Sequence, residues 1–312
     1  MYIEQGYKGT IGLWKYFVLP IGFLGFMAIN YWLTITSPVS TEEIMRDMIS
    51  KIGSNAVLVI LLLPLVVGFF VVLGWTYLVH QQSIKSLTTA RKNVDWKRIF
   101  FAFFLWGGIT VLLTLIDIYF SPDDYVLNFN LSKFLVLAVI AILLIPLQTS
   151  FEEYLFRGHM MQGLGLVAKN RWLPLVVTSV LFGLMHIANP EVEKLGYGIM
   201  VYYIGTGFFL GIMTLMDDGL ELALGFHAAN NLFTALLVTA DWTAFQTHSI
   251  YKDVSEPGLG WDVLIPVFVV FPILLWVFAK KYGWKNWKEK LFGRVLSKEE
   301  FVAIENEKAN MA

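Results

Sequence analysis

The chain has 312 residues, 57% of them hydrophobic and only 15% charged, with a formal net charge of −1 and a mean hydropathy of +0.63. A soluble domain carries about 25% charged residues, so the composition excludes an ordinary soluble globule, and the balanced charge leaves no basic surface for nucleic acid. There is no cysteine, which removes disulfides, thiolate metal sites and cysteine nucleophiles together.

The apolar residues fall in long runs, and a helix needs about 20 of them to cross a bilayer core. Eight candidate spans follow in chain order: Leu13–Ile35, Asn55–His80, Ile99–Phe120, Leu131–Ser150, Trp172–Ile187, Tyr197–Met216, Leu220–Ala240 and Trp261–Lys281. The first is longer than a signal-peptide core of about 7–15 residues and reads as a retained helix. The fifth is short for a full crossing. The expected fold is an all-α polytopic membrane protein of about eight transmembrane helices. It divides into N-terminal helices over 1–130, a core over 131–240 that holds helices four to seven, and a last helix with a basic tail over 241–312.

An even span count puts both termini on one side, and that side holds 18 of the 23 Lys and Arg residues. The positive-inside rule then predicts cytoplasmic termini. The basic loop from Gln81 to Arg98 is expected along the anionic inner leaflet. The tail beyond Tyr282 mixes Trp284, Trp287, Leu291 and Phe292 with lysines, which fits either an interfacial amphipathic helix or a solvated basic tail.

Ionisable groups inside apolar spans are expensive, at about 2.5–3.5 kcal/mol for Arg, Lys or Asp at a helix centre, and here they gather in three places. Glu152 and Glu153 follow the fourth span, and Arg157 lies one helical turn after Glu153, a spacing that suits an ion pair. That pairing leaves one acid without a cation, as a general base requires. The second place is His186 in the fifth span. The third is His227 with Asn231, four apart in the seventh span and so stacked on one face. A membrane-exit segment carrying cytoplasmic charges would also explain the acids, and polar contacts between helices would explain His and Asn. Taken as one site, Glu152 with His186 would activate a water and His227 with Asn231 would hold an oxyanion. Glu153 and Arg157 would support them.

The ordered motifs Glu152-Glu153-x-x-x-Arg157, Phe182-x-x-x-His186 and His227-x-x-x-Asn231 resemble those of the CPBP intramembrane peptidases. That family contains the type II CAAX prenyl endopeptidases and the Abi bacteriocin-immunity proteins. The resemblance covers about Leu131 to Ala240. It implies an eight-helix fold whose cavity opens toward the cytoplasm and bilayer, in a multi-pass protein of a bacterial inner membrane. It also implies endoproteolysis of a membrane-associated protein or peptide, with Glu152 and His186 activating water and His227 and Asn231 stabilising the oxyanion. No cofactor is expected; zinc held by the Glu and His cluster is the alternative, although no His-Glu-x-x-His occurs. Two other classes compete: an immunity or scaffold protein that binds without cutting, and a proton-coupled transporter with a buried Glu and His relay. Gly207-x-x-x-Gly211 is expected to pack another helix closely, more readily one within the chain.

Overall fold

In hydrocarbon a backbone must satisfy its own hydrogen bonds, and the helix does so within one segment. The computed structural model describes residues 1–310. A 3-10 segment, Ile3–Lys8, precedes α1 (Leu13–Thr36) and the amphipathic α2 (Thr41–Ile52). After α3 (Ser54–Leu78), α4 (Ile84–Thr88) and α5 (Trp96–Phe120) come the short strand β1 (Tyr125–Leu127) and α6 (Leu131–Glu153). A π-helical turn, Tyr154–Met160, joins α6 to α7 (Met161–Ala168). Next are α8 (Trp172–Leu184), α9 (Pro190–Leu195), α10 (Met200–Asp217) and α11 (Glu221–Leu237). Strands β2 (Val238–Thr239) and β3 (Tyr251–Asp253) follow, and β3 lies between β1 and β2. The chain ends with α12 (Trp261–Ile265), a second π-helical turn, α13 (Phe271–Tyr282), α14 (Trp287–Phe292) and α15 (Lys298–Asn310).

Among the described residues six helical segments are long and apolar enough to cross a membrane. The fourth is longer than the sequence suggests: α6, the π turn and α7 form one rod of 38 residues, Leu131–Ala168. The other two expected spans become α8, with 13 residues, and α11, with 17. At 1.5 Å per residue these reach about 20 and 26 Å, short of a core about 30 Å thick. The long helices turn Phe26, Trp32, Phe70, Leu112, Leu143 and Phe268 outward, a surface made for lipid. The chain is an integral membrane protein.

Burial orders the bundle. The α10 segment is 61% buried and α1 only 6%, so α10 is central and α1 flanks. Helix α11 packs against both α5 and α6, α3 backs α6, and α8 backs α10. Missing side chains permit these contacts. A Cβ on Gly225 would lie 2.0 Å from the Ile99 carbonyl oxygen, and one on Gly207 would lie 2.4 Å from that of Ser179. The small-residue stripe at Gly207 and Gly211 is therefore an internal seam with α8.

The connections gather at two ends. At the basic end, Arg91 pairs with Asp217 and Glu221 at 2.7 and 3.0 Å, and Arg171 with Glu4 at 2.5 Å. The other end carries the small sheet, with Glu191 accepting the Ala244 N–H at 2.8 Å. Two expectations change at the basic end. The Gln81–Arg98 loop turns inward: Leu87 and Thr88 are buried, and the Tyr2 hydroxyl donates to the Leu87 carbonyl at 2.6 Å. The tail folds back onto the N-terminal segment, where Tyr7 donates to the Leu296 carbonyl at 2.9 Å and Phe301 is buried, while Trp287 and Phe292 remain exposed.

Replacing Gly225 by Ala forces α5 and α11 apart at the backbone. The expected loss is about 1–3 kcal/mol, as for overpacked cores, read as a lowered thermal midpoint in detergent. Gly22, which has nothing within 4 Å, is the control and leaves the midpoint in place when changed to Ala.

Candidate active site

Glu152 and Glu153 close the last turn of α6, and both are buried. The charges expected near a membrane exit therefore lie inside the bundle, because the helix runs on through the π turn. Such turns widen a helix by one residue and are frequent at functional sites. Arg157, fully buried within the turn, donates to Glu153 at 3.0 Å and to the Gly207 carbonyl at 3.1 Å. Its guanidinium lies 4.1 Å from the centre of the Phe182 ring, in a cation–π contact. The Glu153 and Arg157 pair predicted from spacing is present.

Glu153 also receives His227. The imidazole Nδ1 stands 2.8 Å from Glu153 Oε1, leaving Nε2 turned toward Glu152 Oε2 at 3.6 Å. A carboxylate that fixes one ring nitrogen determines what the other can do. Glu152 Oε2 has no hydrogen-bond partner among the described residues.

The second oxygen of Glu152 ends a chain of side-chain amides. Trp106 on α5 donates to Asn230 Oδ1 at 3.1 Å, Asn230 donates to Asn231 Oδ1 at 3.1 Å, and Asn231 donates to Gln148 Oε1 at 3.2 Å. Gln148 then donates to Glu152 Oε1 through a short contact. An indole N–H can only donate, so Trp106 sets the direction of every amide after it. All the donors point toward Glu152.

His186 lies just past the end of α8. Its Nδ1 donates to the Phe182 carbonyl at 3.0 Å, and its ring stacks on Tyr203 at 4.3 Å and 11°. The remaining nitrogen, Nε2, is then a free acceptor. No hydrogen bond or ion pair joins His186 to Glu152 among the described residues. Phe182 has an imidazole on each side, with ring centres 5.2 Å away for His186 and 5.7 Å for His227.

The structure thus places Glu153, Arg157 and His227 in one hydrogen-bonded set and Glu152 and Asn231, through Gln148, in a second; the two sets meet at 3.6 Å between His227 Nε2 and Glu152 Oε2, with His186 nearby. The imidazole facing Glu152 is that of His227. Sequence reasoning missed Gln148, Asn230, Trp106 and Tyr203. Gln148 had a readable signal, since it precedes Glu152 by one helical turn. Trp106 had none, because only the α5–α11 contact brings it near. Among the described residues no group of three His, Asp or Glu side chains that could hold a metal ion is found, and no step below runs through one.

Residues 131–233, which contain all six, match the family described as Type II CAAX prenyl endopeptidase Rce1-like. Over 284 residues the chain is 30% identical to the uncharacterized protein YyaK of Bacillus subtilis (strain 168), covering 88% of this chain and 95% of that one. The chain belongs to the CPBP family. No solved structure matches it. In this CPBP chain the match runs from the first residue of α6 to Phe233, four residues before α11 ends.

Removing one partner of a buried ion pair strands the other charge, at about 3–5 kcal/mol. Arg157→Met should therefore lower the thermal midpoint in detergent sharply. Arg46→Met breaks only an exposed pair with Glu42 and should leave it in place.

Proposed function

We propose that this CPBP protein is an intramembrane endopeptidase that hydrolyses a peptide bond of a membrane-associated protein or peptide. The observation that carries the proposal is the position of Glu152. One oxygen is held by Gln148 at the end of the amide chain, and the other faces His227 without a hydrogen bond. A buried carboxylate held in this way is equipped to take a proton from water.

Glu152 serves as the general base, and His186 presents Nε2 to the same water from the other side of Phe182. The water oxygen adds to the carbonyl carbon, and its proton passes to Glu152. The oxyanion takes hydrogen bonds from His227 and Asn231. This requires a proton on both ring nitrogens of His227, one donated from Nδ1 to Glu153 and the other from Nε2 to the oxyanion. Asn231 offers the amide hydrogen that Gln148 does not use. The carbon–nitrogen bond then breaks as Glu152 returns its proton to the leaving nitrogen. Glu153 and Arg157 hold the ring and the helices in register. Water is the nucleophile, and no cofactor takes part. The catalytic core is assigned to residues 131–240, the termini to the cytoplasm, and the protein to a bacterial inner membrane. CAAX-type protein processing is the narrower form of the reading, supported by the family description alone.

In proteoliposomes carrying a membrane-proximal peptide, Glu152→Gln should cut cleavage by about 10²–10⁴-fold, the usual worth of a general base. Cleavage at the wild-type rate, with the fold intact, would favour a protein that binds without cutting. Asn231→Ala should cost about 10²–10³-fold, as loss of an oxyanion donor does.

Trp106→Phe keeps the aromatic packing and deletes only the N–H that orders the amides. The expected loss of about 1 kcal/mol, or roughly fivefold in rate, should be seen in kcat with KM unchanged. Loss of binding alone would refute the orienting role.

A further inference from the structure

Around the Glu152 carboxylate the bundle is closed toward one end and half-open toward the other. On the rod, every residue from Phe151 through Gly163 is buried. On α11, Gly219 through Ala229, counted from the preceding turn, are buried, whereas Asn230 and Asn231 are half-buried. The layer between the site and the basic end contains Leu87, Phe156 and Leu220, none more than 1% exposed. Two hydrogen bonds stitch it: Tyr154 and Thr88 share one of 2.7 Å, and the Tyr2 hydroxyl donates to the Leu87 carbonyl at 2.6 Å.

The partly exposed members of the site face the opposite end. His186 and the residues after it, Ile187, Ala188 and Asn189, are half-buried and lead to α9 beside the small sheet. Tyr203, stacked on His186, lies in the first turn of α10 and is also half-buried. On three helices, then, the half-buried members of the site lie on the side of Glu152 away from the basic cluster. By sequence position that end has 5 of the 23 Lys and Arg residues. Leaving aside Arg157, which is inside the bundle, the closed end has 17 (23 − 5 − 1). The positive-inside rule assigns the closed end to the cytoplasm.

We propose that the site takes its substrate from the extracytoplasmic face, as a polypeptide segment exported to, or inserted from, that side of the bilayer. This rests on the peptidase reading above, and it reverses the cytoplasm-facing mouth that the family resemblance implies. The cytoplasmic end, plugged by the N-terminal segment and α4, holds the bundle shut.

The chain has no cysteine, so single cysteines report accessibility without background. Ala188→Cys probes the mouth, Asn231→Cys and Asn230→Cys probe the depth of the site, and Lys298→Cys marks the basic end. Each is treated with a membrane-impermeant charged methanethiosulfonate, first in intact cells and then in inverted membrane vesicles. The expected result is modification of Ala188→Cys and at least one depth probe in intact cells, and of Lys298→Cys only in inverted vesicles. Lys298→Cys reacting in intact cells would overturn the orientation. Depth probes reacting only in inverted vesicles, or from neither side, would overturn the route. The peptidase reading is judged separately by Glu152→Gln: cleavage lost in that variant with labelling from the wrong side sinks only the route. Cleavage retained with labelling as expected sinks only the chemistry.

Discussion

One buried ion pair joins the four helical elements that make the site. Arg157 and Glu153 belong to the same rod, yet their remaining contacts reach outward: the guanidinium to the Gly207 carbonyl on α10 and the Phe182 ring on α8, the carboxylate to His227 on α11. Two charges removed from water cost several kcal/mol each unless geometry and extra hydrogen bonds repay them. Here the repayment comes from three neighbouring helices, so the pair is satisfied only when all are in place. The same requirement explains the bare backbone at Gly207, since Arg157 reaches its carbonyl at a point where α8 already touches the helix. Assembly of the bundle and assembly of the site are one event.

The amide chain from Trp106 to Glu152 adds direction to this framework. Asn and Gln side chains can each be turned end for end, so a row of three has no inherent polarity. A donor-only indole at one end and an acceptor carboxylate at the other remove the ambiguity. In a dry interior such chains also polarise along their length. Helix α5, outside the stretch matched to the family, thereby contributes to the geometry of the carboxylate.

Much of this was legible in the sequence, for definable reasons. Hydropathy marks helices because lipid demands a continuous apolar surface, and six expected spans have the required length. Spacing of four along a helix revealed the Glu153 and Arg157 pair and the shared face of His227 and Asn231. What spacing cannot carry is contact between helices. The pairing of Glu152 with His186 was expected from the residue types and from the family resemblance, whereas the imidazole turned toward Glu152 belongs to His227. Hydropathy also could not show that α8 and α11 are short, since buried helices and spanning ones share a composition. The inward fold of the N-terminal segment had no periodic signal at all, being a six-residue 3-10 turn with its flanking Tyr2, held by partners 85 and 289 residues away, Leu87 and Leu296.

The π turn has a consequence for how the rod relates its two halves. Each residue of a helix advances the azimuth by about 100°, so the extra residue accommodated at Tyr154–Met160 acts as a phase setting. Upstream of it the rod presents Gln148, Glu152 and Glu153 to the site; downstream it presents Gln162, which donates to the Ser86 carbonyl at 3.1 Å and accepts from Gln82 at 2.9 Å. Loss of one residue within the turn would leave each half helical and equally apolar while rotating one face away from its partners. The length of this segment is therefore constrained more tightly than its composition, and an insertion or deletion there would uncouple the packed layer at the basic end from Glu152 and Glu153 without a change in hydropathy.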